Sequence, residues 1–426
     1  MDILVSHTES LCPACLTKLP AAIVADESGV YMEKKCLRHG VYRTIIWRGS
    51  IGSYQDWFRD AGQVGRSHPS GPHYPVQDGC PFDCGLCPHH IGESCAAALM
   101  VTSRCNLNCP VCFTECSHEN TPDPTRDQLE NRLRFYLETS RRPFPLELCG
   151  GEPTVRNDLP AIVNMAQSLG FNHIQINSNG IRLGQEPELA VKLKEAGATV
   201  IYLGFDSTAD KAYEATVGRP ILSLKMQAIE HCAQAGLAVV LVPVLVPGIN
   251  TDQLGPIVNL AKQWLPHVKG VHFQPISYFG KYPNLPQDKD RLTIPDVIKL
   301  LVEQTAGELQ HADFIPPGCE HPLCSLQAFY LKGPKGNLQA LTKRQARTDN
   351  DGAAERVRSI APKQWSANPM PTLTVSGMLF QDGWNVDMGR LQRCGIHIIS
   401  GDQGLIPLCA KYLTAQDGRR LYPGIS

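Results

Sequence analysis

The sequence predicts an α/β protein whose central part is a parallel sheet with helical crossovers. Between residues 99 and 275, six short apolar stretches alternate at regular intervals with longer stretches of helical periodicity. The chain has 426 residues, 42% of them hydrophobic, which is enough for a large core. Cysteine-rich stretches flank this central part on both sides. We therefore expect an N-terminal metal-binding ribbon before it and a C-terminal cysteine-containing extension after it.

The central elements can be placed in order. The predicted strands are Leu99–Thr102, Leu146–Cys149, His173–Asn177, Val200–Phe205, Val239–Val244 and Gly270–Gln274. The predicted helices are Pro124–Thr139, Leu159–Leu169, Glu186–Ala196, Ile221–Ala235, Asp252–Leu265 and, beyond the sheet, Pro295–Leu309. The expected domains are a ribbon with a linker (1–75), a cysteine loop (76–98), the α/β core (99–278) and a C-terminal substrate region (279–426).

Two CxxC-like pairs of residues in the first 45 positions, one Cys–Cys and one Cys–His, predict a mononuclear metal site. Cys12 and Cys15 form one CxxC turn, and Cys36 with His39 forms the other, with strand-like stretches between them. Such turns on hairpins give tetrahedral zinc or iron sites. His39 precedes a glycine, so it can also be a turn residue, with a later cysteine completing the site. The Pro- and Gly-rich stretch 66–75 then predicts a linker.

Three cysteines, Cys105, Cys109 and Cys112, follow the first predicted strand. Thiolates suit zinc or iron-sulfur clusters, and a cubane has four corners, so three protein ligands leave one iron open. The cysteines follow the carboxyl end of their strand, where the ligand sites of α/β sheets lie. The spacing therefore predicts an iron-sulfur cluster with one open coordination position.

This spacing resembles the cluster motif of radical S-adenosylmethionine (radical SAM) enzymes, and Gly150-Gly151-Glu152-Pro153 resembles their GGEP element. A Gly-Gly pair after a strand is by itself also typical of a plain turn. The resemblance implies a partial (β/α)6 TIM-like barrel and a 4Fe-4S cluster that binds S-adenosylmethionine. It also implies a 5'-deoxyadenosyl radical that takes hydrogen from an unactivated carbon. Val111 replaces the aromatic residue that many members carry, which narrows the subfamily.

The same resemblance implies which residues hold S-adenosylmethionine. The GGEP element holds the methionine amino group in this family, and the third and fourth strands contact the ribose. Asn179 precedes Gly180, and Asn-Gly is also a common turn pair. No catalytic acid or base outside the cluster is predicted. The predicted cofactor-binding set is Gly150, Gly151, Glu152, Pro153, Asn177, Asn179, Asp206 and Ser207.

The remaining cysteines predict one or two auxiliary 4Fe-4S clusters. The first set repeats the x3, x2 spacing in a Gly- and Pro-rich loop and has a fourth cysteine nearby, although a second zinc knuckle would fit the same spacing. The second set comes from two separated segments and would fasten the C-terminus to the barrel, the alternative being buried thiols without a metal. The sets are Cys80, Cys84, Cys87 and Cys95, and Cys319, Cys324, Cys394 and Cys409.

Taken together, the flanking motifs look like the group that contains the archaeal 7,8-dihydro-6-hydroxymethylpterin dimethyltransferase and tetraether lipid synthase. The resemblance implies a transferase, with methylation of a pterin-like small molecule as the favoured function. Residues 343–358 are charged rather than apolar, which argues against long alkyl chains as substrate. Coupling of lipid alkyl chains is the alternative. A zinc-ribbon scaffold without catalysis explains neither the six repeats nor the GGEP element.

Charge and hydropathy limit the partners. The net charge of −1 gives no basic surface for nucleic acid. The longest apolar run, 237–246, contains Pro243 and is too short to span a membrane, so no transmembrane segment is predicted. The 17 cysteines, many in metal-type pairs, indicate a reducing compartment, which we expect to be the cytoplasm. Radical SAM chemistry implies an electron donor such as a ferredoxin or flavodoxin.

Overall fold

The computed structural model describes residues 2–61, 76–83, 87–92, 94–114, 122–140, 145–282, 284–316, 320–344, 370–400 and 404–422. The predicted linker 66–75 and two predicted metal ligands, Cys84 and Cys319, lie outside the described residues.

The N-terminal ribbon is a four-stranded antiparallel sheet in sequence order. Its strands are β1 (Ile3–Leu11), β2 (Lys18–Ala25), β3 (Val30–Cys36) and β4 (Gly40–Trp47), and helix α1 (Ile51–Ala61) follows. Short turns join β1 to β2 and β3 to β4, and these turns carry the two predicted ligand pairs.

The core contains the six parallel strands that the sequence predicts. They are β5 (Ala96–Thr102), β6 (Leu146–Gly150), β7 (Ile174–Ser178), β8 (Val200–Gly204), β9 (Ala238–Val242) and β11 (Val268–Pro275), and the short strand β10 (Val244–Leu245) pairs with β11. Each of the six pairs in parallel with the next along the chain. The predicted α/β class and the parallel sheet with helical crossovers are confirmed.

Helices cover the outer face of this sheet. They are α2 (Arg126–Ser140), α3 (Leu159–Ser168), α4 (Ile181–Gln185), α5 (Pro187–Glu195), α6 (Asp210–Thr216), α7 (Leu222–Gln234), α8 (Leu254–Gln263) and α9 (Ile294–Gln304). Short 3-10 turns lie at Pro153–Val155, Asp288–Asp290 and His311–Asp313. Every predicted helix is present, with ends that differ by at most five residues. No helix in the described ranges is long and apolar enough to cross a membrane.

The C-terminal region extends the sheet at both edges, which the sequence analysis did not predict. Its elements are β12 (Ser325–Lys332), β13 (Leu338–Ala340), β14 (Thr372–Met378), α10 (Met388–Leu391), β15 (Ile396–Ser400), β16 (Gly404–Pro407) and α11 (Leu408–Tyr412). The sheet order is β13-β12-β14-β11-β9-β8-β7-β6-β5-β15-β16. Strand β14 runs parallel to β11, and β15 runs parallel to β5.

Alternation along the strands divides the core into two environments. One set of side chains, such as Leu148, Ile176 and Leu203, is fully buried against the helices. The other set faces inward and, together with loop residues, lines a cavity of about 720 Å³. Glu147 and Tyr202 belong to this second set. The cavity reaches the carboxyl ends of the strands, where Cys109 and Cys112 of the cysteine loop line it.

A buried ion pair joins the loop after β11 to the C-terminal region. Arg291 donates to both carboxylate oxygens of Asp382, at 2.9 and 3.1 Å. The backbone N–H groups of Tyr278 and Trp384 also donate to that carboxylate, each at 3.0 Å. The ribbon reaches the same place, because Lys34 Nζ donates to the carbonyl oxygen of the residue next to Asp382, Gly383, at 2.8 Å. Ribbon, barrel and extension therefore meet at one buried polar junction.

Candidate active site and metal centres

The cysteine loop follows β5 directly and is held from both sides. Leu107 packs with Cys105 and Cys109 against a small apolar cluster. The Leu107 N–H donates to Cys105 Sγ at 3.4 Å. On the other side, Cys112 and Lys281 exchange two backbone hydrogen bonds of 3.0 and 2.9 Å. The loop that carries the three partly buried cysteines is therefore held in place beside the cavity, and Cys109 and Cys112 line it.

The donor set fits an iron-sulfur cluster. Burial, reinforced by the nearby Cys112, raises the pKa of Cys109 to about 11. A bound metal centre would reverse this shift, because a coordinating thiol is deprotonated. None of these three cysteines is in a disulfide bond. The residues present therefore match a cluster that Cys105, Cys109 and Cys112 would hold, which would leave one iron without a protein ligand.

The GGEP turn lies directly on the cysteine loop, and this requires its glycines. A Cβ on Gly150 would come within 2.1 Å of the Thr102 carbonyl oxygen, and one on Gly151 within 2.2 Å of that of Arg104. Gly150 also has φ +147°, which side chains disfavour. The Gly151 and Glu152 N–H groups donate to these same two carbonyls, at 3.0 and 2.9 Å. The turn is thus more than a plain connection between elements.

Glu152 is buried and uses its carboxylate to join three segments. Its Oε1 accepts hydrogen bonds from Thr154 N (3.0 Å), Thr154 Oγ1 (2.6 Å) and Ser178 Oγ (2.9 Å), and its Oε2 accepts from Asn179 N (2.5 Å). Pro153, also buried, begins the 3-10 turn. The Glu152 side chain is therefore engaged by protein donors and positions the ends of β6 and β7.

The structure separates the four residues predicted to contact the adenosyl half. Asn179 reaches the cysteine loop, because its Nδ2 donates to Asn106 Oδ1 at 2.7 Å. Asp206 lines the cavity, although its carboxylate accepts from Val244 N and Thr216 Oγ1, both at 2.9 Å. Burial raises the pKa of Asp206.

The other two predicted residues, Asn177 and Ser207, form hydrogen bonds away from the cysteine loop. Asn177 lies deeper in the cavity and donates to Glu147. The buried Ser207 hydroxyl donates to Gln253 at 3.2 Å, on the side of α8. The adenosyl-binding role of all four stays a prediction.

Sequence reasoning missed a buried lysine at the site. Lys225 Nζ, in the first turn of α7, donates to the Asn179 carbonyl oxygen at 2.5 Å and lines the cavity. Burial lowers the pKa of Lys225 to about 8, while Asp206, Glu152 and Cys109 oppose that shift. The helical spacing of the sequence could have revealed it. Lys225 lies three and four residues before Ala228 and Ile229, which places it on the apolar, buried face of the helix.

A polar patch inside the barrel was also missed. The register sets Glu147 beside Gln175, and Asn177 beside Tyr202. Burial raises the pKa of Glu147 to about 7, opposed by the hydrogen bond from Asn177. A glutamate between two leucines of a buried parallel strand was the available signal, because such strands are usually apolar throughout.

The ribbon brings its four predicted ligands together. The ligand atoms of Cys12, Cys15, Cys36 and His39 all lie within 4.8 Å of one another, as a single tetrahedral ion requires. His39 Nδ1 lies 3.6 Å from Cys12 Sγ and 3.4 Å from Cys36 Sγ, so the histidine is part of the group. The pKa of Cys36 is lowered, first by a hydrogen bond from the Arg38 backbone, which favours the thiolate that a metal needs.

Cys324, Cys394 and Cys409 lie near one another. The pKa of the buried Cys394 is raised first by burial and then by Cys409 and Cys324, which lie close enough to act on it. Arg390 Nε donates to Cys324 Sγ at 3.1 Å and brings a positive charge to the group. Their predicted partner Cys319 lies outside the described residues.

The other cysteine set lies next to this one. Cys80, Cys87 and Cys95 are buried, and Cys95 lines the cavity. The Cys95 N–H donates to the Gly395 carbonyl oxygen at 2.6 Å, which brings the two sets side by side. Cys84 is outside the described residues, so neither predicted set of four can be assembled in full.

Family models match two parts of the chain. Residues 99–261 match the radical SAM superfamily, and residues 4–48 match the HMPTM N-terminal zinc ribbon domain. These ranges coincide with the α/β core and the ribbon described above.

Curated proteins and solved structures give further likenesses. The chain is 32% identical over 474 residues to the 7,8-dihydro-6-hydroxymethylpterin dimethyltransferase of Methanocaldococcus jannaschii, covering 94% of this chain and 92% of that protein. A probable GTP 3',8-cyclase of Methanothermobacter marburgensis is 28% identical over 39% of this chain and 53% of its own. Streptococcus suis SuiB, solved with its precursor peptide SuiA, superposes with a TM-score of 0.43 at 13% identity, covering 72% of this chain and 69% of its own. The chain is therefore a radical SAM enzyme and belongs to the family of the 7,8-dihydro-6-hydroxymethylpterin dimethyltransferase.

Proposed function

We propose that this enzyme methylates a pterin-like small molecule by radical chemistry. The observation that carries the proposal is the polar patch inside the barrel cavity, seen in a chain that is related along nearly its whole length to a pterin dimethyltransferase. Asn177 and Gln175 are already joined to Glu147 by hydrogen bonds, but an alkyl chain would offer no donor to the remaining acceptor sites of the Glu147 carboxylate, at a cost of a few kcal/mol. The patch therefore favours a small polar substrate over the alkyl chains of lipid coupling.

Each part of the cavity has its own role in the proposed reaction. A cluster on Cys105, Cys109 and Cys112 would supply the electron that cleaves S-adenosylmethionine and yields the 5'-deoxyadenosyl radical. The GGEP turn, fixed on the cysteine loop, would hold the methionine end of the cofactor, and Asn179 and Asp206 would hold its ribose. The interior patch would orient the substrate below. The enclosing barrel would keep solvent from the reacting carbon.

The same proposal covers the other metals and partners. Zinc is the metal we propose for the ribbon, and the two neighbouring cysteine sets would hold auxiliary 4Fe-4S clusters that relay electrons or contact substrate. A ferredoxin or flavodoxin would supply the electron. The cytoplasm is the compartment we propose, because so many free thiols and clusters need reducing conditions.

The test is metal analysis followed by an assay. Anaerobically purified protein should contain about twelve irons, enough for three cubane clusters, together with zinc. Dithionite should release 5'-deoxyadenosine from S-adenosylmethionine. With 7,8-dihydro-6-hydroxymethylpterin and candidate methyl donors, mass spectrometry should detect a pterin that has gained methyl groups. Cleavage of S-adenosylmethionine without any methylated pterin, across that donor panel, would refute the substrate while leaving the enzyme class intact.

A further inference from the structure

The interior patch contains a carboxylate that lacks a full set of protein partners. Glu147 Oε1 accepts from Asn177 Nδ2, and Asn177 Oδ1 in turn accepts from Gln175 Nε2 at 2.7 Å. Among the described residues, Asn177 is the one hydrogen-bond donor to this carboxylate, through Oε1, and no lysine or arginine forms an ion pair with it. The amide chain thus uses one acceptor site of Oε1 and leaves the second site of Oε1, together with Oε2, for a ligand in the cavity that Glu147 lines.

The position of this carboxylate indicates the ligand it would accept. A carboxylate accepts two parallel N–H donors side by side, and this pairing is favourable even for a neutral donor group. An anionic ligand such as a phosphate would be repelled by Glu147, and an alkyl group would leave it unpaired. The complementary ligand therefore presents two adjacent N–H donors on one edge.

Aromatic walls beside the patch point to a flat ligand. Tyr202 neighbours Asn177 on the next strand, and its ring lies 6.1 Å from that of His272, centroid to centroid. His272 Nδ1 lies 2.9 Å from Ser376 Oγ, which fixes that ring. Both rings line the same cavity as Glu147 and are tilted by 55° to each other, so a planar heterocycle could stack on one of them while its edge meets the carboxylate.

We propose that Glu147, oriented by Asn177 and Gln175, binds the 2-amino-4-oxopyrimidine edge of the substrate through its ring N–H and its 2-amino group. The inference rests on the proposed function, because pterins carry this edge. Guanine carries it too, so the shared chemistry is the edge itself, and the experiment must separate the two sources.

The test is calorimetric binding to the anaerobically reconstituted holoenzyme. The probes are 6-hydroxymethylpterin, 6-hydroxymethyllumazine, in which a 2-oxo group replaces the 2-amino group, and guanosine. The native enzyme should bind the pterin at least tenfold more tightly than the lumazine. Glu147→Gln should weaken pterin binding roughly 10- to 100-fold and narrow that preference, because a neutral amide both donates and accepts.

Two further variants make the result interpretable. Glu195→Gln makes the same chemical change on the exposed face of α5 and should bind the pterin like the native enzyme. Asn177→Ala removes the group that orients Glu147 and should weaken pterin binding severalfold, which tests the same site if Glu147→Gln fails to fold. Zinc content and the unfolding midpoint report folding in each case.

The outcomes separate the two proposals. Tight pterin binding that Glu147→Gln leaves unchanged would overturn the edge contact, while the proposed function would stand. A Glu147-dependent preference for guanosine over the pterin would support the edge contact and overturn the pterin as substrate. Binding of none of the probes by the native holoenzyme would overturn the edge contact.

Discussion

Glu147 carries a charge that folding makes costly. Its pKa is about 7 in the folded protein, because burial disfavours the carboxylate, against about 4.3 in an unfolded chain. Between these values the folded state holds the extra proton, so this group's contribution to stability falls as the pH rises from about 4 to about 7. A residue that costs stability at neutral pH fits a binding role better than a structural one.

This gives a prediction with a defined sign. At pH 8 the free energy of unfolding of Glu147→Gln should exceed that of the native protein by about 1 to 2 kcal/mol, after allowance for solvent in the cavity. The variant should therefore unfold at a higher urea concentration. At pH 5 the two should differ little. Anaerobic urea titrations at both pH values measure this, with Glu195→Gln as the reference substitution. An equal effect at both pH values would contradict the linkage.

Cys109 allows a second prediction at this scale. Cys109→Ala should abolish 5'-deoxyadenosine formation, because two cysteines would remain to hold a cluster that takes three. Zinc should stay bound, since the ribbon ligands are untouched. Cys232→Ala is the control, because Cys232 is a buried thiol of the helix-facing core and should not affect cleavage. Undiminished cleavage in Cys109→Ala would refute the cluster assignment.

How far single residues could be predicted depends on whether a spacing rule exists for them. Ligands of one metal ion must lie close together, so the spacing of Cys12, Cys15 and Cys36 in the sequence identifies them as candidate ligands. Lys225 and Glu147 follow no such rule. Their importance depends on which face of a helix or strand lines the cavity. This face can be identified only once the whole barrel is assembled.

At the scale of elements, the GGEP turn and the cysteine loop act as one unit. Gly150→Ala should destabilise the protein by more than about 2 kcal/mol, because the new Cβ would clash with the Thr102 carbonyl and φ is +147°. Gly52→Ala in α1 is the control, because its Cβ would meet nothing closer than 3.8 Å. Unfolding midpoints compare the two, and similar values would show that the turn can relax.

The ribbon gives a metal-removal prediction. Cys36→Ala should lose the N-terminal metal and speed hydrogen exchange in β1 to β4, because a small sheet of this kind depends on its ion. Cys109→Ala is the reciprocal control, losing cleavage but keeping the ribbon metal. Metal analysis with hydrogen-exchange mass spectrometry separates the two. Full metal retention in Cys36→Ala would remove Cys36 from the ligand set.

The elements of the barrel could be predicted because each has a regular period. Strand and helix alternate between residues 99 and 275 with clear apolar patterns, and the structure confirms them. Strands β12 to β16 were missed, since long polar and Pro-containing stretches interrupt them. Their pairing with β11 and β5 is long-range, and no local period records it.

The whole molecule is held at the junction of Arg291 and Asp382. Arg291→Met should cost about 3 to 5 kcal/mol, because it leaves the fully buried Asp382 carboxylate without its cation. Arg134→Met removes an exposed pair with Glu130 and should cost less than about 0.5 kcal/mol. Chemical unfolding compares the two variants. A small effect for Arg291→Met would show that the backbone donors alone satisfy Asp382.

The two strands that pair with the edges of the barrel sheet, β14 and β15, are among the last parts of the chain to be synthesised. A ribosome releases this chain from its N-terminus, so the six barrel strands emerge while both of their outer edges still lack β14 and β15. Until residue 378 has left the ribosome, the nascent sheet offers two open rows of backbone groups to any neighbouring chain, and the row on β5 stays open until residue 400. Cys394 and Cys409 emerge in this last stretch, so metal loading at the C-terminal set and closure of the sheet would belong to the same final stage of biosynthesis.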